Sequence, residues 1–256
     1  MKIVGVIPAH LASVRFPRKV LYPFCGLSMV EHVRRRALLS GVLDAVYVAT
    51  FDQEIANVVK GAGGPVIMTS NAHKTGTDRV AEAVRSLDCT HVIVLQADEP
   101  LLLPDTIVAC AEAIRGNPEI VAWNAVGPVT AEADLEDRSI VKCIINPQGR
   151  ILFCCRRSPC LRSSFIEQQS FVRKIFGLIA FRRDFLLKFT QMPEAPFEHA
   201  EFIEQSRIIE NGVELQSIPI TMSYPSVNEA QEVALVERVL ASDTCQQRIL
   251  ERVLHY

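Results

Sequence analysis

The 256-residue sequence contains neither a G-x-x-x-x-G-K-[ST] phosphate loop nor a G-x-G-x-x-G turn. The two glycine-based nucleotide cradles are therefore absent, which counts against an NAD(P)-dependent oxidoreductase. The eight cysteines (Cys25, Cys89, Cys110, Cys143, Cys154, Cys155, Cys160 and Cys245) form no C-x-x-C pair. Most lie inside apolar runs, as free thiols do in a reducing compartment, so neither a disulfide nor a zinc site is expected. No apolar stretch approaches the roughly 18 residues of a membrane span, and the run after Lys2 is too short for a secretory leader. A cytoplasmic protein is expected. Charge of one sign is also lacking: 27 Lys and Arg face 29 Asp and Glu, a formal net charge of -2. Such a balance gives no field for nucleic acid or a membrane surface, so the expected partner is a small molecule.

The chain does have enough apolar residues, 49% by composition, to bury a continuous core at this length. Short β-branched runs alternate with segments of helical period through the first half. Ile3–Ile7 is followed by Met29–Leu39, Ala45–Ala49 by Gln53–Lys60, Val66–Met68 by Thr77–Leu87, and His91–Leu95 by Thr106–Arg115. That rhythm predicts an α/β fold with a mostly parallel sheet and helices on both faces. KIVGVI and HVIVLQ are continuously apolar, as strands covered on both faces should be.

From about Asp137 the pattern changes. Val141–Ile145, an Asn146–Gly149 turn and Arg150–Cys155 read as a hairpin, and a polar stretch, Arg156–Gln169, leads to another strand, Phe171–Phe181. The expectation is one domain over 1–256 carrying a small antiparallel insert at about 137–182, which would supply acceptor contacts and a homodimer surface. Helices at Arg183–Thr190 and Glu198–Asn211, a strand at Glu214–Ile220 and a helix from Asn228 onward complete the chain.

Ligands of open α/β sheets bind outside the carboxyl ends of the strands. Two polar segments stand there. After the first strand comes IPAHLASVRFPRK, whose Arg15, Arg18 and Lys19, with loop N–H groups, suit a polyphosphate and the charge of a leaving pyrophosphate. After HVIVL comes QADEP, where Asp98 is a hard oxygen donor suited to Mg²⁺. Asp98 and Glu99 lie too far ahead of the helix beyond Pro104 to serve as its cap.

With both segments in place, the sequence resembles the CMP-Kdo synthetases (3-deoxy-manno-octulosonate cytidylyltransferases) over nearly its whole length. The matching stretches are IPAHLASVRFPRK, VIMTSNAHKTGTDR, VLQADEP, SIVKC with Arg156, and FEHAEFIEQSR. The resemblance implies a Rossmann-like sheet and transfer of CMP from CTP to a small anionic acceptor with release of pyrophosphate. It assigns Arg15, Lys19 and Asp98 to catalysis. Ala9, His10, Ser13, Thr75, Gly76, Thr77, Arg79 and Gln96 would form the nucleotide pocket. Arg156, Glu198, Glu201 and Gln205 would line the acceptor side, and Asp98 and Asn228 would hold Mg²⁺.

Four positions depart from the family pattern: His10 stands for an arginine, Ala97 for a glycine, Ile175 for a histidine and Asn228 for an aspartate. Asn228 offers a carbonyl oxygen without a charge, and Glu229 beside it can compensate. These departures open two alternatives: CTP-dependent activation of a phosphonate such as phosphonoformate, and a non-catalytic nucleotide-binding protein.

Overall fold

The computed structural model describes residues 1–159, 162–222 and 224–256. Cys160, one of the expected free thiols, lies outside them. In chain order the elements begin with β1 (Ile3–Pro8), β2 (Pro23–Phe24), β3 (Leu27–Ser28), α1 (Met29–Leu39), β4 (Ala45–Thr50), α2 (Gln53–Gly61), β5 (Val66–Met68), α3 (Gly76–Arg85), β6 (His91–Leu95) and α4 (Pro104–Gly116). They continue with β7 (Ala122–Pro128), α5 (Ala133–Glu136), β8 (Lys142–Ile145), β9 (Ile151–Cys155), α6 (Phe165–Gln168), β10 (Val172–Arg182), α7 (Arg183–Phe189), α8 (Pro196–Glu201), α9 (Gln205–Glu210), β11 (Gln216–Pro219), α10 (Val233–Ser242) and α11 (Thr244–Leu254). The chain forms two compact units, one of Met1–Ala111 with Tyr224–Tyr256 and one of Glu112–Ser223.

In the first unit the strands run β6-β1-β4-β5, all parallel, with Val4 opposite both Val92 and Ala45. Every residue of β1 and β6 is buried, which requires cover on both faces and explains their unbroken apolar sequence. Because the strands are parallel, the loops after β1, β4 and β6 leave from the same edge. The C-terminal return belongs to this unit as well: Val227, Val233, Val236 and Leu240 pack with Phe24, Met29 and Leu101. The α/β reading and the parallel sheet hold.

In the second unit β11 pairs with β7 in parallel, and β10 runs antiparallel to β7 and to β8. The expected hairpin is β8–β9, with Cys143 opposite Cys154. Its turn is set by Asn146, whose Oδ1 accepts from the N–H groups of Gln148 and Arg150 at 3.0 and 2.8 Å, and by Gly149 at φ 78°, a left-handed conformation that suits glycine.

Three expectations need correction. The segment Glu198–Asn211 is two helices, α8 and α9, separated because Phe202 takes a left-handed conformation, φ 55°. The last helix does not start at Asn228; a 3₁₀ turn at Ala230–Glu232 precedes α10, and a break at Asp243, whose side chain accepts from Gln246 N–H, starts α11. Strand β7 is an addition to the expected elements. Its Asn124 is fully buried, with Nδ2 donating to the Phe176 carbonyl and Oδ1 accepting from Gln205, partners remote in sequence. Cys25 and Cys245 are exposed, whereas the other described cysteines are buried.

Lys142 is a tightly constrained polar group of the second unit. It is fully buried, and its ammonium donates to the carbonyls of Asp137 at 2.6 Å, Ile140 at 2.8 Å and Arg156. Burial lowers its pKa from the ordinary lysine value. Lys142→Met keeps the aliphatic stem and strands the Ile140 and Arg156 carbonyls, while the Asp137 carbonyl keeps the Ile140 N–H, so urea denaturation should show a loss of about 3 kcal/mol, and a loss below about 1 kcal/mol would contradict this role.

Candidate active site

A cavity of about 500 Å³ opens at the carboxyl edge of the first unit's sheet. Its size lies in the range of small-ligand sites. Among the described residues five segments line it, Phe51 after β4 and four that carry the residues expected from the sequence.

The first is the loop after β1. Ala9 N–H continues the sheet by donating to the Ala49 carbonyl at 2.9 Å, and Leu11 N–H donates to Asp52 Oδ2 at 2.9 Å. The loop then turns back on itself through Ser13 and Arg18, whose N–H groups both donate to the Leu11 carbonyl, at 3.0 and 2.9 Å. Arg18 adopts φ 63° and pairs with Glu54 on α2, so it is turned to the surface. His10, Ser13, Arg15 and Lys19 line the cavity.

The second is the turn after β6. Gln96, Ala97 and Asp98 reach the cavity. Lys19 Nζ donates to Asp98 Oδ2 at 2.7 Å and to the Val227 carbonyl at 2.9 Å, and Val227 N–H donates to the Asp98 carbonyl at 2.9 Å. The side chains of Lys19 and Asp98 are only 13% and 25% exposed, so this pair is far less screened than a surface ion pair. Glu99, next to Asp98, has its carboxyl pushed up to about 8, by burial first and then by the Asp98 charge.

The third is the N-terminus of α3. Thr75 Oγ1 accepts from Asp78 N–H at 3.1 Å and Asp78 Oδ2 accepts from Thr75 N–H at 3.2 Å, a reciprocal cap. A Cβ on Gly76 would lie 3.1 Å from Pro8 Cγ, so a larger residue would press on the end of β1. Thr75 and Gly76 line the cavity, which gives it the partial positive charge of a helix start. Arg79 is buried at its wall, donating to Thr69 Oγ1 at 2.7 Å and to the Ser70 carbonyl at 3.1 Å, with its guanidinium 4.9 Å above the Phe51 ring. It does not take Glu82 as its hydrogen-bond partner; that carboxylate accepts instead from Ser70 N–H and pairs with His73.

The fourth is the C-terminal return. Asn228 lines the cavity, with Nδ2 donating to Ser226 Oγ at 3.0 Å. Glu229 Oε1 lies 3.6 Å from Arg15 Nη1.

The structure thus gathers ten of the expected residues around one cavity: His10, Ser13, Arg15 and Lys19 from one loop, Thr75, Gly76 and Arg79 from α3 and its cap, and Gln96, Asp98 and Asn228 from the remaining two segments. Ala9 and Thr77 are buried behind the wall. Sequence reasoning missed Phe51, Asn71, His73 and Lys74, which also line it. Phe51 follows β4 at the same carboxyl edge, and applying the strand-end rule to β4 would have found it.

The expected acceptor residues lie in the second unit and are engaged there. Arg156 Nε donates to the Glu201 carbonyl at 2.8 Å, and its backbone N–H to Glu201 Oε2 at 2.8 Å. Glu198 forms a two-point pair with Arg207 at 2.6 and 2.7 Å, and Gln205 Nε2 donates to Asn124 Oδ1 at 2.9 Å. Ile175, the other departure, sits in β10 opposite Val126 of β7.

Cations outnumber carboxylates around the cavity, and among the described residues no cluster of three or more His, Cys, Asp or Glu converges as a metal site. A cavity with this charge, a helix start and one half-buried aspartate is built to hold a polyphosphate. Residues 4–218 match the sequence family described as cytidylyltransferase. The 3-deoxy-manno-octulosonate cytidylyltransferase of Geobacter metallireducens is 34% identical over 250 residues, covering 94% of this chain and 98% of its own. The enzyme of that description from Chlorobium phaeobacteroides is 36% identical over 246 residues, covering 95% and 98%. A solved CMP:2-keto-3-deoxy-manno-octonic acid synthetase complexed with CTP superposes with a TM-score of 0.89 at 31% identity, covering 95% of this chain and all of that one. The chain belongs to the cytidylyltransferase family, in its 3-deoxy-manno-octulosonate branch.

His10 faces Arg79 and Lys19 as well as Asp52 and Asp98. Its pKa is lowered by burial first and then by the Arg79 charge, so the imidazole is neutral at pH 7. NMR titration of its ring protons in the free protein should give a midpoint below the ordinary value of about 6.5, shifting upward when a polyphosphate binds. A midpoint at or above about 6.5 in the free protein would contradict the cationic surroundings described.

Proposed function

We propose that this protein transfers CMP from CTP to the eight-carbon sugar acid 3-deoxy-manno-octulosonate and releases pyrophosphate. The observation that carries the reading is the convergence on one cavity of Arg15, Lys19, the capped start of α3 and Asp98. The relatives named above support CTP as donor and the sugar acid as acceptor.

In the proposed reaction an acceptor oxygen attacks the α-phosphorus of CTP. One P–O bond forms to the acceptor hydroxyl oxygen, whose proton is lost to solvent, and the bond to the bridging oxygen of the β-phosphate breaks, so the electron pair leaves on pyrophosphate. Arg15, Lys19 and the positive end of the α3 helix dipole oppose the charge that builds on the leaving group. Catalysis then rests on position and charge, without a covalent nucleophile.

The residues fit a Mg²⁺ ion. Asp98 and the carbonyl oxygen of Asn228 are hard donors that both line the cavity, and Mg²⁺ commonly takes one or two carboxylates, keeping water and substrate phosphate as its other ligands. Bound there, Mg²⁺ would neutralise phosphate charge. The sugar-acid contacts assigned to Arg156, Glu198, Glu201 and Gln205 rest on their motifs, and each would be remade from bonds now internal to the second unit.

No helix among the described residues is long and apolar enough to cross a membrane. We place the reaction in the cytoplasm, where CTP is made. We place a homodimer surface on the antiparallel strands of the second unit, which sedimentation velocity would test.

Pyrophosphate release with CTP and Mg²⁺ should be rapid with 3-deoxy-manno-octulosonate and absent with phosphonoformate. Asp98→Asn should lower kcat at least about 100-fold by removing the only carboxylate charge among the described residues that line the cavity. Turnover with phosphonoformate alone would replace the sugar-acid reading, and full activity of Asp98→Asn would remove Asp98 from the reaction.

A further inference from the structure

The stretch that carries Ser13 and Arg15 lies between β1 and the 3₁₀ turn that begins at Lys19, and its backbone is held by few bonds. Two of these, from Ser13 and Arg18 N–H, end on the same carbonyl, that of Leu11. The Leu11 residue is therefore the hub on which the loop turns. Its own N–H is held from outside the loop, by Asp52 Oδ2 at 2.9 Å.

Asp52 stands at the N-cap of α2, with φ -83° and ψ 115°. An aspartate there ordinarily turns its carboxylate onto the helix's first N–H groups. Here no side-chain cap bond is made, and the carboxylate serves the loop instead. Its own backbone is fixed, since Asp52 N–H donates to Thr50 Oγ1 at 3.0 Å and Thr50 is fully buried at the end of β4. A rigid strand end, a carboxylate diverted from its local use and the hub of the phosphate loop are thus joined in one line.

We propose that Asp52 is a positioning residue for cytidylyl transfer: it fixes Leu11 and through it the arrangement of Ser13, Arg15 and Lys19 around the CTP phosphates. The proposal rests on the CTP reading above. A carboxylate this close to a polyphosphate site opposes anion binding, and the charge of Arg79, which faces it, offsets that cost. What Asp52 contributes to CTP binding is therefore its oxygen acceptor and not its charge.

That distinction gives the test. Titration calorimetry with CTP and steady-state kinetics with CTP and the sugar acid should be run on the wild type, Asp52→Ala and Asp52→Asn, with thermal unfolding in parallel. Asp52→Ala should weaken CTP binding and raise the CTP KM about tenfold or more, while the acceptor KM stays within twofold. Asp52→Asn, which retains an oxygen acceptor, should bring the CTP KM back to within about threefold of the wild-type value. General loss of structure would move both KM values together and would not be rescued. A CTP KM for Asp52→Ala within twofold of the wild type, or an Asp52→Asn as impaired as Asp52→Ala, overturns the anchoring while leaving the proposed function standing. A wild type that neither binds nor turns over CTP overturns both.

Discussion

The link between Lys19, Asp98 and Val227 is the contact on which the cavity depends. It ties three stretches distant in sequence, the loop after β1, the turn after β6 and the C-terminal return, through bonds of 2.7 and 2.9 Å to one ammonium. An exposed lysine and aspartate would contribute little to structure, because water screens them and long side chains lose entropy. Here both side chains are largely shielded, so removing either partner would leave the other charge poorly solvated. The return of the chain to this point, with Val227 N–H donating to the Asp98 carbonyl, makes the pairing two-sided.

Around that link the site is an exercise in charge placement. Parallel pairing of β1, β4 and β6 brings three loops to one edge. The loop after β1 supplies cations, the turn after β6 supplies a carboxylate, and the segment after β4 supplies Phe51 beneath Arg79 and Asp52 beneath Leu11. The capped start of α3 adds the positive end of its helix dipole. None of these groups needs to move a proton for phosphoryl chemistry of this kind, so their value lies in being held in place.

Most of this is legible in the sequence where one local signal suffices. KIVGVI and HVIVL mark buried parallel strands, and the strand-end rule alone points to Arg15, Lys19 and Asp98. What escapes sequence reasoning depends on remote partners. Asn124 breaks an apolar run, yet β7 tolerates it because Phe176 and Gln205 satisfy its amide from elsewhere in the chain. The break between α8 and α9 falls at Phe202, a residue that no turn rule marks for a positive φ. Asp52 looks like an ordinary helix cap, and only the folded chain reveals its carboxylate turned to Leu11. His10 and Asn228 stand out as departures from the family pattern, and the structure puts both on the cavity wall.

The central claim is that this cavity moves a cytidylyl group. It is tested most directly by following CTP labelled at the α-phosphate in the presence of Mg²⁺ and 3-deoxy-manno-octulosonate. The account predicts that the label appears in a CMP conjugate of the sugar acid, in equal amount to the pyrophosphate released. Label recovered as free CMP, or remaining in CTP while the sugar acid is unchanged, would contradict it.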